Sequence, residues 1–154
     1  MKSTIATFLL AASSAFAAPA DVKRQNHSIQ ITDFWAQSSN IASAYMHFVV
    51  TDSNYPDDTP TDCNLIWTYG STPKESARCN NSQYYIKFPQ GPVDFNLFTL
   101  GLERVSGPIA EEGQILLSSN ANGGAPGTKW ICEDYPQSGV AVHCAYDGVL
   151  EMGV

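Results

Sequence analysis

Three pairs of adjacent acids, Asp57-Asp58, Glu111-Glu112 and Glu133-Asp134, are the first places in this 154-residue chain to look for bond-breaking chemistry. A glycosidase sets two carboxylates across the bond it cleaves. Neighbours on a strand point to opposite faces, however, and adjacent acids in a loop are ordinarily solvated charge, so none of these pairs reads as a catalytic dyad. The loop acids Asp52, Asp57, Asp58 and Asp62 are close enough in sequence to suggest calcium. That ion takes roughly six to eight oxygens, and the central glycine and terminal glutamate of an EF-hand loop are missing. For acid-base work on a phosphate, as in a small secreted acidic ribonuclease, the candidates are His47, His143, Glu103 and Arg104. All four would have to share one face, and Glu103 and Arg104 should diverge on a strand. His47 and His143 therefore read as hydrogen-bonded strand residues. There is no Gly-x-Ser-x-Gly elbow. No catalytic residue, cofactor or metal ligand is expected.

Aromatic side chains give a softer signal. Trp35, Tyr45, Trp67, Tyr69, Tyr84, Tyr85 and Trp130 are numerous enough for a sugar- or phenol-binding face. Most fall on strand candidates, where core packing is their usual fate.

The elements that must position these residues are strands. Ile29 and Ile31 alternate with Gln30 and Thr32, and Cys63, Leu65, Trp67 and Tyr69 alternate with polar residues, a period of two. Residues 45–50 and 84–88 continue the pattern, and 94–104, 113–119, 127–132 and 139–146 add further candidates between segments rich in Gly, Pro, Asn, Asp and Ser. No window carries a sustained helical period; residues 33–44 come nearest, with room for one short turn. Eight or so closely spaced strands imply an all-β fold, an antiparallel β-barrel or β-sandwich. The long connections 51–62 and 119–126 have too little apolar surface to fold by themselves, so they are expected to be mobile surface loops.

The N-terminus reads as a leader. Lys2 supplies a positive charge, residues 4–12 are apolar without an acid, and Ala15-Phe16-Ala17 fits a small-x-small cleavage site, making 1–17 a signal peptide. The apolar run is shorter than the roughly 20 residues of a membrane span. Residues 18–24 then form a short propeptide ending in the dibasic pair Lys23-Arg24, which leaves 25–154 as one β domain.

From Gln25 onward five basic residues face fourteen acids, a net charge of −9. That balance excludes nucleic acid and anionic membrane as natural partners, since both need a cationic surface. Cys63, Cys79, Cys132 and Cys144 are an even set in a secreted chain and read as two disulfides. Their spacing is unlike the Cys-x-x-Cys pairs of structural zinc, and three pairings are open. Asn26-His27-Ser28 and Asn80-Asn81-Ser82 are glycosylation sequons.

Together these features resemble a family of small secreted fungal proteins similar to the major allergen of Alternaria, several of which elicit plant defence. The resemblance is carried by the leader and the basic residues after it, by Ile31-Thr32-Asp33-Phe34-Trp35, by the order and spacing of the four cysteines, and by the ending Val142-His143-Cys144-Ala145-Tyr146-Asp147-Gly148-Val149-Leu150. It implies a β-barrel or sandwich, the pairings Cys63 to Cys79 and Cys132 to Cys144, and a non-catalytic role where fungus meets host. Some members carry an additional N-terminal cysteine that joins two chains. Residues 25–62 hold none, so a covalent dimer is not expected, while a noncovalent homodimer is compatible.

The expectation is thus an extracellular protein that works by binding a plant host protein or by being recognised. The loops to look at first contribute Asp52, Tyr55, Asp57 and Asp58, and Asn120 and Asn122. The alternatives are a phenolic- or glycan-binding β-protein with Trp35 or Trp67 at its pocket, and a small acidic hydrolase.

Overall fold

The computed structural model describes residues 28–120, 125–135 and 139–154. The leader, Lys23-Arg24, Asn26 and Asn122 lie outside the described residues. Nine strands are present among the described residues: β1 (Ser28–Ser39), β2 (Ser43–Asp52), β3 (Thr61–Thr68), β4 (Tyr84–Lys87), β5 (Leu97–Arg104), β6 (Glu111–Ser118), β7 (Trp130–Asp134), β8 (Val140–Tyr146) and β9 (Leu150–Gly153). There is no helix among the described residues. The stretch 33–44, expected to hold a helical turn, is instead the end of β1, a tight turn and the start of β2.

Two antiparallel sheets stack as a sandwich. The larger runs β3-β2-β1-β8-β7, with β9 also paired to β1, and the smaller runs β4-β5-β6. They do not close into a barrel, which settles the alternative the sequence left open. The two sheets approach closely at Gly113 of β6, where a Cβ would lie 2.6 Å from the Gly153 carbonyl oxygen of β9, so only glycine fits.

Alternation explains which side chains meet. Met46, Phe48 and Val50 of β2 and Cys63, Leu65 and Trp67 of β3 face Ile86 of β4 and Phe98, Leu100 and Leu102 of β5, and all are buried. Phe34 lies among the rings of Trp130, Phe48 and Phe98, with centroids 4.8, 5.3 and 6.5 Å away. Burying one such side chain contributes about 1.5–3 kcal/mol.

β1 breaks its own alternation, and the break matters. Its pairing with β2 runs to Thr32 opposite Val49 and resumes at Trp35 opposite His47, so Asp33 and Phe34 together oppose Phe48. This is a β-bulge, with Asp33 in the left-handed region at φ 48°. Before it Ile29 and Ile31 face inward; after it Phe34 and Ala36 do. Trp35 is thereby turned to the outer face, where an uninterrupted period of two from Ile31 would have buried it. At the same point β1 exchanges β9 for β8 as its neighbour.

The disulfides are Cys63–Cys79 and Cys132–Cys144. The first ties β3 to the segment that leads into the smaller sheet. The second joins residues directly opposite each other on β7 and β8.

Candidate functional site

Two groups of side chains stand apart from the apolar core. The first closes one end of the sandwich. On β2 the inward series Met46, Phe48, Val50 continues to Asp52, and on β5 Phe98, Leu100, Leu102 continues to Arg104. Glu111 opens β6 and Tyr84 opens β4, both inward. The strand period that lines the core with carbon thus delivers two acids, an arginine and a phenol to its rim.

There the guanidinium of Arg104, its side chain 2% exposed, lies 3.6 Å from Asp52 Oδ2 and 2.6 Å from Asp58 Oδ2. It also donates to the Tyr84 hydroxyl and, through Nε, to the Ser106 carbonyl at 2.8 Å. The Tyr84 hydroxyl donates to Asp52 Oδ2 at 2.8 Å. Burial, then the bond to Asp52, push the Tyr84 phenol well above its ordinary value. Burial acts against the charge on Arg104, but Asp58 and Tyr84 outweigh it and hold the guanidinium more firmly protonated. Glu111 is pushed up to about 7, first by burial and then by Asp52, against the pull of Asn54 and Arg104.

This cluster grips the loop 53–60. The Asn54 backbone N–H donates to Asp52 Oδ1 at 2.9 Å and its side-chain amide donates to Glu111 Oε1. The Arg104 guanidinium stacks 3.3 Å over the Tyr55 ring. The Tyr55 hydroxyl donates to the Ile109 carbonyl at 2.8 Å and accepts from the Ile109 N–H at 2.9 Å. Gly107, at φ +93°, makes room for Tyr55: a Cβ there would sit 2.6 Å from its ring. The expectation of a mobile loop is therefore corrected, because Asp52, Tyr55 and Asp58 are bound into the cluster. Asp52 is buried and offers no contact surface, whereas Asp57 is exposed. In the other expected loop, Asn120 is exposed and its N–H donates to the Ser118 hydroxyl at 3.3 Å.

The second group lies on the outer face of the larger sheet. Strand register sets Asn64, His47, Trp35, Ala145 and Ile131 in one row across five strands. The Trp35 ring has His47 on one side at 5.7 Å and His143 on the other at 6.3 Å, the latter nearly parallel. His47 Nδ1 is 2.9 Å from Asn64 Oδ1. Tyr135 meets His143 edge-on, and with Gln37 and Val140 these two line a shallow cleft of about 230 Å³. Trp67, the other tryptophan considered for a ligand pocket, is buried in the core against Phe88 and Phe95.

The four residues a ribonuclease would need are not brought together. His47 and His143 share the outer face of the larger sheet, Arg104 is interior, and Glu103 is on the outer face of the smaller sheet, paired with Lys87. Among the described residues no cluster of His, Cys, Asp and Glu is arranged to hold a metal ion, and no helix is long and apolar enough to cross a membrane. The joining of Asp52, Glu111 and Arg104 is the feature that residue-by-residue reading missed. Its signal was present: each charge sits two residues beyond, or at the start of, a buried alternating series. In comparisons with protein-family models, curated proteins and solved structures, the chain matches none.

Proposed function

We propose that this is a secreted, non-catalytic recognition protein that acts as an effector or elicitor toward a plant host protein, and that the loop 53–60 is its contact surface. The observation that carries the reading is Arg104, buried and divided among Asp52, Asp58, Tyr84 and Tyr55 to hold a surface loop in one shape. Buried ion pairs seldom add net stability, since each desolvated ion costs several kcal/mol; their better-attested use is to specify one conformation. A loop ordered before binding loses less entropy on binding. Two disulfides are consistent with an extracellular protein. Asn80 and Ser82 are both exposed in a turn whose backbone is bonded to Asp62 at the edge of β3, so a glycan on Asn80 fits the same reading.

The test is capture from host apoplastic fluid with the mature protein and with Asp57→Arg, which alters the exposed part of the loop. A host protein retained by the first and lost by the second supports the reading. An identical retained set from both sinks it.

A second reading, a binder of a phenolic compound or glycan, is favoured by Trp35 on the outer face beside the cleft of Gln37, Tyr135, Val140 and His143. Saturable quenching of tryptophan fluorescence that disappears in Trp35→Phe is the expected result. Quenching that persists in that variant would remove it.

A further inference from the structure

Glu111 and Asp52 come from different sheets and meet under the loop 53–60. Asn54 bridges them, its backbone N–H on Asp52 and its side-chain amide on Glu111 Oε1. Both oxygens of Asp52 are occupied, one by Asn54 and the other by Tyr84 and Arg104. Glu111 Oε2 is buried and has no hydrogen-bond partner. A buried carboxylate oxygen without a donor is costly. A protonated one is not, because its O–H becomes a donor, and Asp52, tied to Glu111 through Asn54, is the neighbouring carboxylate that favours the protonated form.

We propose that Glu111 and Asp52 form a proton-operated latch that holds the loop 53–60 closed when one proton is shared between them and releases it when that proton is lost. The proton leaves to solvent, and two like charges then face each other beneath Asn54. The charged and titratable groups around Glu111 are Asp52 at the end of β2, Tyr84 on β4, Arg104 on β5, and Tyr55 and Asp58 in the loop. Tyr84 and Arg104 are both held more firmly protonated than usual, and Glu111 is raised toward neutrality. Arg104 cannot replace the proton, since its guanidinium is already divided among Asp58, Tyr84, Asp52 and the Ser106 carbonyl. Acid therefore presents the ordered loop and neutral solution loosens it.

The inference rests on the recognition reading only for the purpose of the loop, and its test uses no partner. Hydrogen-exchange protection factors for residues 53–60 are measured on the full mature protein at about pH 5 and about pH 8. The latch predicts a loss of roughly tenfold or more at the higher pH, and protection at both pH values in Glu111→Gln, whose amide keeps a donor toward Asp52. Equal protection in the wild type, or the same loss in Glu111→Gln, overturns it. Should that variant not fold, a carboxyl carbon titration of wild-type Glu111 replaces it: a midpoint near neutrality supports the latch and an ordinary glutamate midpoint overturns it. Loss of host capture in Asp57→Arg bears on recognition alone, so the two ideas fail separately.

Discussion

The rim cluster and the Trp35 face use polar and aromatic side chains in opposite ways. At the rim, Arg104 and Asp52 are almost wholly out of water and every bond fixes something else: a loop, a turn or another side chain. On the outer face, Trp35 is held by the sheet beneath it and by two histidine rings beside it, with side-chain hydrogen bonds only flanking it, His47 with Asn64 and Tyr135 with Glu133 among them. Substitutions at the rim should therefore unsettle the fold, and substitutions on the face should leave the fold alone and alter only what touches it.

The largest effect should come from Arg104→Met, which leaves Asp52 and Asp58 without their cation. A loss of about 3–5 kcal/mol is expected from urea unfolding. A change under about 1 kcal/mol would mean that the carboxylates find water, and the contrast between the regions would collapse. Gly107→Ala should follow at about 1–3 kcal/mol, from a strained backbone and a clash with Tyr55. It should also raise hydrogen exchange in 53–60 more than in β2. Uniform loosening would show that the loop is not seated by Tyr55.

Stability should also depend on pH. Folding raises the Glu111 value from 4.5 to about 7, so the folded state holds the proton more tightly than the unfolded chain. The contribution is fully present below about pH 4.5, falls as pH rises through about 7, and is level above. Allowing for solvent screening at the rim, the drop is about 1–2 kcal/mol. Denaturant midpoints of wild type and Glu111→Gln across that window measure it, and parallel curves would assign the pH dependence elsewhere. The smallest effect belongs to the face: Trp35→Ala should change stability by less than about 1 kcal/mol, while removing the fluorescence response to a ring-shaped ligand. A large destabilisation would make Trp35 a packing residue.

Legibility in the sequence followed the alternation. Strands such as β3, with Cys63, Leu65 and Trp67 on one face, can be read directly. β1 could not be followed past Asp33, because its bulge interrupts the period and imitates the end of a strand. β9, four residues after a turn at Gly148, is too short to show a period at all. The loop 51–62 looked mobile because its composition is polar, and composition does not reveal that Tyr55 and Asp58 have a buried arginine to bind.

Antiparallel strands, the use of all four cysteines in disulfides, and the shared parity of Asp52 and Arg104 with the core residues of their strands all follow from the order of residues along the chain. Those are local properties, set by the two-residue repeat of an extended backbone and by side-chain chemistry. It took the packing of the sheets to bring the ends of β2 and β5 and the starts of β4 and β6 to the same rim, and to turn Trp35 toward solvent. Parity tells which side of a strand a residue occupies. Which two sides are pressed together, and which charges are thereby stripped of water, depends on how the sheets stack and on the one-residue shift of a bulge.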